Sequence, residues 1–233
     1  MTPARPAAGW PTDDPATGFL GALDSEQLEA LRGLGTARRF RKGQALFHQG
    51  GSSDRVVVLL SGRVKVSTVT EDGKEIVLAF RGPGDLLGEL SAIDGEPRSA
   101  TVEAIEPVEA IAIAAPQFRS YLIAHPEVGV LLLQMLSHRL RDADRIRVEY
   151  GAHDTVGRVA ARLVELAERY GEPAERGLRI GLPLSQEELA GWTGASREAV
   201  SKALQTLRKV GWVVTERRRI TVLDLEALRR RSA

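Results

Sequence analysis

The chain has 233 residues, 43% of them hydrophobic, enough for one large or two modest globular domains. Lys and Arg number 32 against 31 Asp and Glu, and a net charge of +1 points by itself to no charged partner. No cysteine is present, which excludes disulfides, thiolate zinc sites and cysteine-ligated iron–sulfur clusters.

The N-terminal segment, residues 1–18, carries Pro3, Pro6, Pro11 and Pro15 among Ala, Thr and Gly, and reads as disordered. Asp24-Ser25-Glu26-Gln27 marks a helix start, followed by Leu28 and Leu31 at helical spacing. From about Thr36 to Ala115 the pattern is of short strands between turns: Phe40–Leu46, Asp54–Leu60, Val64–Val69, Glu75–Ala79 and Val102–Ile113. Turns about ten residues apart predict an antiparallel barrel or sandwich. Val56, Val57 and Val58 read as core.

Within this region lies Gly88-Glu89-Leu90-Ser91-Ala92-Ile93-Asp94-Gly95-Glu96-Pro97-Arg98-Ser99-Ala100-Thr101. The turn Gly82-Pro83-Gly84-Asp85 precedes it, and Gly88–Ala92 can open a helical turn with free amides, a place where phosphate binds. Arg98 can fork two hydrogen bonds onto phosphate oxygens, and Ser99 adds a hydroxyl donor. Glu89 would repel phosphate but can accept from vicinal sugar hydroxyls. A ribose-phosphate ligand fits; so does a plain Glu89–Arg98 ion pair closing a surface loop.

Ala115–Ala124 reads as a short helix that His125-Pro126 breaks. A long helix follows, 126–150, in which Leu133, Leu136, Leu140, Ala143, Arg147 and Tyr150 recur at steps of three and four. That heptad seam fits a two-stranded coiled coil, with Arg147 as its flaw; packing on its own barrel is the other use for the helix. Gly151-Ala152-His153-Asp154 is a hinge, and Asp154 caps a helix over Thr155–Tyr170.

Near the C-terminus, Ser185 and Glu188 form a capping box, Gly194 permits a tight turn, and Ser196 caps a second helix. That spacing is a helix-turn-helix. Arg197, Glu198 and Lys202 share the polar side of the second helix, opposite Val200, Leu204 and Leu207. Arg or Lys there can donate to guanine and Glu can accept from cytosine. Gly211–Val222 reads as a hairpin with Arg217, Arg218 and Arg219 near its tip, suited to phosphate contacts. Leu223–Arg230 reads as a closing helix. From Arg197 to Arg231, ten Lys/Arg stand against four Asp/Glu, a basic end on a neutral protein.

Gly88-Glu89-Leu90 with Pro97-Arg98-Ser99-Ala100-Thr101 resembles the phosphate-binding cassette of cyclic-nucleotide-binding domains. With the C-terminal motif, the chain over roughly Phe19 to Arg230 resembles the CRP/FNR transcription-regulator family, near its cAMP-receptor branch. The resemblance implies an α+β fold: a cyclic-nucleotide-binding β-roll (19–125), a dimerisation helix (126–150), a hinge (151–154) and a winged helix-turn-helix DNA-binding domain (155–233). It implies cAMP as allosteric ligand, with Glu89 on the ribose, Arg98 and Ser99 on the cyclic phosphate, and amides near Gly88, Leu90 and Ala100 completing the cradle. It also implies a homodimer on palindromic double-stranded DNA and RNA polymerase as partner. The family's iron–sulfur oxygen sensors use cysteines, which this chain lacks.

One departure stands out. The cAMP receptor has a Thr-Ser pair facing adenine, where this chain has Ala143 and Asp144. Ala143 offers no side-chain hydrogen bond; Asp144 can accept from an adenine amino group or a guanine ring N–H, or pair with Arg141 or Arg147. A regulator that is nucleotide-independent, or that senses cGMP, cyclic di-GMP or another ligand, therefore stays open, as does a cyclic-nucleotide-binding adaptor that docks a protein. His48, His125, His138 and His153 lack metal-ligand spacing. With no paired acids, nucleophile elbow or phosphate-transfer loop, neither an enzyme nor a metal site is expected. Val56–Leu60 and Val128–Leu133 are too short to span a membrane, so the expected location is cytoplasmic.

Overall fold

The computed structural model describes residues 18–182 and 184–232. The expectation of disorder over 1–18 lies outside them except at Gly18, which is helical. The chain divides into two compact units. One holds the described residues up to Val66 together with Ala79–Arg141; the other holds Ser67–Leu78 and the chain from Asp142 onward.

Along the chain, α1 (Gly18–Gly21) and α2 (Ser25–Leu34) lead into β1 (Thr36–Phe40), β2 (Ala45–Phe47), β3 (Arg55–Ser61), β4 (Val64–Val69), β5 (Glu75–Arg81) and β6 (Leu86–Leu87); all belong to the first unit except the end of β4 from Ser67 and the start of β5 up to Leu78. Then follow α3 (Glu89–Asp94), β7 (Thr101–Ala104), β8 (Val108–Ala114), α4 (Ala115–Ala124) and α5 (Pro126–Ala152), whose last turns belong to the second unit. Asp24 caps α2 through a capping box with Gln27. The strands form two four-stranded sheets, ordered β1-β8-β3-β6 and β2-β7-β4-β5.

Two sequence readings merge what the structure separates. Phe40–Leu46 is broken after β1 by a tight turn in which Gln44 N donates to Arg41 O and Gly43 takes φ +80°. Val102–Ile113 is two strands, because Pro107 cannot donate to a ladder and Ile105 N turns aside to Arg63 O.

The continuous apolar run of β3 has a physical reason. Val56, Val57, Val58 and Leu59 are all 0% exposed. Side chains alternate along a strand, so Val56 and Val58 enter a core with Phe19, Leu31, Ile113, Phe118, Val128 and Leu132, beneath the helices. Val57 and Leu59 enter a second core with Phe47, Leu87, Val102 and Ala104, between the sheets. A strand buried on both faces shows no polar alternation.

The second unit continues with α6 (Thr155–Tyr170), β9 (Gly171–Pro173), β10 (Leu178–Ile180), α7 (Gln186–Thr193), α8 (Arg197–Lys209), β11 (Val213–Glu216), β12 (Arg219–Val222) and α9 (Leu225–Arg231). Its sheet runs β11-β12-β10-β9. Gly171-Glu172-Pro173 ends a helix as expected but also pairs with β10. The predicted hinge 151–154 narrows: Gly151 and Ala152 are helical, and the break is His153-Asp154, with Asp154 Oδ1 accepting from Gly157 N at 2.8 Å to start α6. The closing helix starts at Leu225 rather than Leu223, capped by Asp224. Among the described residues, no helix is long and apolar enough to cross a membrane.

Candidate functional site

The cassette starts where β6 ends. Gly88 takes φ +78° at the N-terminus of α3, a left-handed conformation that favours glycine. It is also crowded: a Cβ there would lie 2.5 Å from Arg98 Nη1 and 3.1 Å from the Phe47 ring. Gly95, φ +79°, closes α3, and the chain returns through Pro97 to Arg98.

Arg98 is 4% exposed. Its Nε donates to Ser52 O at 3.0 Å and its Nη1 to Gly88 O at 3.0 Å. Its Nη2 donates to Arg55 O and reaches Asp54 Oδ1 at 3.5 Å. The guanidinium lies 4.1 Å over the Phe47 ring. Burial lowers its pKa, with Asp54 acting in the opposite direction. The sequence reading has Arg98 forking two hydrogen bonds onto phosphate oxygens. Here four of its five N–H groups are engaged, three by backbone carbonyls. A phosphate would have to exchange with those carbonyls.

Glu89 is 4% exposed, and its cation is Arg139, not Arg98. Arg139 Nη1 donates to Glu89 Oε1 at 2.7 Å, while Nη2 donates to Leu86 O at 3.0 Å and lies 3.6 Å from Asp85 Oδ1. Asp85 in turn accepts from Gly82 N at 3.0 Å. The Glu89–Arg98 loop pair is thus replaced by two separate ion pairs, Glu89–Arg139 and Asp54–Arg98. Arg139 is absent from the sequence reading, although it stands one helical turn before Ala143. Ser99 is exposed, Ala100 half-buried, and the Leu90 side chain is 47% exposed.

Of the α5 positions, Ala143 and Asp144 lie in the second unit and are exposed. Asp144 Oδ1 sits 3.6 Å from Arg147 Nη1, which resolves its pairing between Arg141 and Arg147. Along the seam, Leu133 and Leu140 are 64% and 62% exposed, as are Val130 and Val148 in large part. Leu136 packs instead against the helix-side core. At the seam position Tyr150, the hydroxyl donates to Trp192 O at 3.0 Å.

The helix-turn-helix is built as its caps dictate. Ser185 Oγ accepts from Glu188 N at 3.1 Å while Glu188 Oε2 accepts from Ser185 N at 2.8 Å. Gly194 takes φ +61°, and Ser196 Oγ accepts from Ala199 N at 3.2 Å. Val200, Leu204 and Leu207 are buried; Arg197, Glu198 and Lys202 are exposed together on the opposite face of α8. Its own amide and the Ser196 hydroxyl hold the Glu198 carboxyl below its ordinary pKa, so it is an acceptor at neutral pH.

β11 and β12 pair with Glu216 opposite Arg219, which puts Arg217 and Arg218 in the hairpin turn. Arg218 takes φ +57°, unusual for a residue with a side chain. Arg217, Arg218 and Arg219 are all exposed. Arg208, one of the ten basic residues of this end of the chain, donates to Thr215 Oγ1 at 3.2 Å and ties α8 to this hairpin.

Residues 37–125 match the cyclic nucleotide-binding domain and residues 157–231 the Crp-like helix-turn-helix domain. A CRP-like cAMP-activated global transcriptional regulator of Mycobacterium tuberculosis is 37% identical, over 83% of this chain and 86% of its own. A global nitrogen regulator of Synechocystis is 32% identical, over 93% and 95%. The solved structure of a CRP-family transcriptional regulator from Thermus thermophilus is 28% identical and superposes with a TM-score of 0.72, covering 84% of this chain and 96% of that one.

Proposed function

The chain belongs to the CRP/FNR family of transcriptional regulators, and we propose that it acts as a homodimer whose grip on a palindromic DNA site is set by cAMP. The observation that carries the ligand is the cassette itself, a buried carboxylate at the first residue of α3 and a buried guanidinium just beyond its end.

Glu89 would take the ribose 2′-hydroxyl. Arg139 keeps that carboxylate oriented, and an ionised acid can accept more than one donor. Arg98 and Ser99 would take the cyclic phosphate, with amides near Gly88, Leu90 and Ala100; the carbonyls that hold Arg98 are the partners the phosphate displaces. Asp144 would accept from the adenine amino group on leaving Arg147, and Ala143 would make only packing contact. The exposed stripe of Leu133, Leu140 and Ala143 would be covered by a second copy.

On DNA, Arg197, Glu198 and Lys202 would read base edges, Ser196 and the first amides of α8 would meet a phosphate, and Arg217–Arg219 would grip the backbone. Two such helices in a two-fold dimer call for half-sites about one helical turn apart. Coupling between ligand and DNA in such systems is about 1 to 3 kcal/mol. RNA polymerase is the partner that family membership suggests.

Isothermal titration of the protein with cAMP, and with cGMP in parallel, tests the reading. Binding of cAMP that is lost in Arg98→Ala, in a protein that stays folded, supports it. Silence with both nucleotides favours a same-fold regulator of another ligand, which the Ala143-Asp144 pair and the Asp144–Arg147 contact motivate. An adaptor role would follow if no duplex were enriched from a random pool.

A further inference from the structure

The last carbonyls of a helix have no partner inside it and must find one elsewhere. In α7, Leu189 O accepts from Thr193 Oγ1 at 2.8 Å, and Ala190 O accepts from the amides of Gly194 and Ala195. Trp192 O and Thr193 O are taken by groups from outside the helix-turn-helix. Tyr150 at the end of α5 donates its hydroxyl to Trp192 O at 3.0 Å, and Arg158 on α6 donates Nε to Thr193 O at 2.9 Å.

These two side chains also hold each other. Arg158 Nη1 donates to His153 O at 2.8 Å, and its guanidinium lies 5.8 Å from the Tyr150 ring centroid. The ring rests on the turn itself: a Cβ on Gly194 would be 3.0 Å from Tyr150 Cε1. The same end of α5 is fastened to α6 by Arg162, 2% exposed, which pairs with Glu149 and, at 2.6 Å, with Glu165. Burial raises the Tyr150 pKa, which keeps the hydroxyl a donor at neutral pH.

We propose that Tyr150 and Arg158 are positioning residues for base reading: they bracket the turn between α7 and α8, so the aim of Arg197, Glu198 and Lys202 follows the last turn of α5. The inference rests on α8 being the DNA-reading helix. Base readout needs three side chains held in register with base edges, whereas phosphate contacts tolerate a small tilt. Loosening the bracket should therefore weaken specific binding and spare non-specific binding.

The test uses the full chain and two duplexes of equal length: one enriched from a random pool by the wild-type protein, and a scrambled version of it. Tyr150→Phe removes the hydroxyl and keeps the ring; Arg158→Lys keeps the charge and loses the Nε donor. Fluorescence anisotropy at one salt concentration should give about a five- to tenfold loss on the enriched duplex for each variant, the equivalent of one hydrogen bond. Affinity for the scrambled duplex and sedimentation should stay near wild type, and melting should fall by no more than about a few degrees, as for one lost hydrogen bond. Amide exchange at Gly194–Ser196 should quicken. Equal losses on both duplexes, no loss on either, or a loss that tracks dimer dissociation would overturn the proposal; the last outcome would return Tyr150 to the dimer seam. A wild-type chain that enriches no duplex would refute the DNA reading of α8, and the inference with it.

Discussion

Gly88 is the point at which one methyl group should disturb the cassette most. An alanine there must keep φ near +78°, at a cost of about 1 to 2 kcal/mol for a residue with a Cβ. Its methyl would also stand 2.5 Å from Arg98 Nη1, 3.1 Å from Phe47 Cζ and 3.2 Å from Arg55 O. The carbonyl is backbone and the ring lies under the guanidinium, so the arginine has to move. Moving it breaks the Nη1 bond to Gly88 O, and a hydrogen bond to a charged donor contributes about 1.5 to 3 kcal/mol. Together Gly88→Ala should destabilise the first unit by about 2.5 to 5 kcal/mol. Urea unfolding followed by far-UV circular dichroism reads this as a lower midpoint of the first unit's transition at an unchanged slope. Calorimetry on the folded fraction should show weakened nucleotide binding, since Arg98 no longer holds its place. A variant within about 0.5 kcal/mol of the parent, with unaltered affinity, would refute the argument that Gly88 fixes Arg98.

Three more outcomes are expected. Leu140→Glu places a charge on the exposed stripe of α5; burying a leucine contributes about 1.5 to 3 kcal/mol and a dimer buries it twice, so the dissociation constant should rise about 100-fold or more by sedimentation. Unchanged sedimentation would remove this face from the dimer. Arg218→Gly relieves a positive φ, so stability should hold or rise by up to about 1 kcal/mol, while DNA affinity falls on all sequences and its salt slope becomes shallower by about one. The Gly157 amide first, and the Arg231 hydrogen bond second, hold the Asp154 carboxyl below its ordinary pKa. A folded pKa below the unfolded value of about 3.9 means that this stabilisation is complete well above that value and fades as pH falls through the folded pKa. Asp154→Ala should therefore cost about 1 kcal/mol at pH 7, as for a lost helix cap, and progressively less below about pH 3.5; an equal cost at both ends of a pH series of urea midpoints would contradict it.

What the sequence displays well is local. The helix start at Asp24, the capping box at Ser185, the Gly194 turn and the Ser196 cap need only neighbours within a few residues, and each forms. The buried run of β3 is visible because a strand covered on both faces has no polar positions to show. The site itself is less legible. Glu89 meets its cation fifty residues away on another helix, a pairing that no spacing rule within the cassette contains. Arg98 is spent on backbone carbonyls, which every residue carries and which no sequence pattern marks. Tyr150 sits in a heptad seat, yet its hydroxyl finds a carbonyl on α7; a periodic pattern records which side a residue faces, not what waits there. Gly151 suggests a break, but glycine inside a helix costs only about 1 kcal/mol, and the helix continues one residue beyond it.

The single backbone thickness of β3 separates the two cores of the first unit, and this makes it a shared wall. On one side Val57 packs with Leu87 and with Phe47, whose ring lies against Arg98. On the other, Val56 and Val58 press on the layer that seats Val128, Leu132 and Met135, the base of α5. Neighbouring rungs of the ladder do the same: Val57 pairs with Leu87 and Val58 with Leu86, one partner in each core. Close-packed interiors transmit displacement instead of absorbing it. Any shift of Arg98 that tilts Phe47 therefore has a route to the root of the long helix that is one strand deep and, beyond the Phe47 ring, made of aliphatic contact.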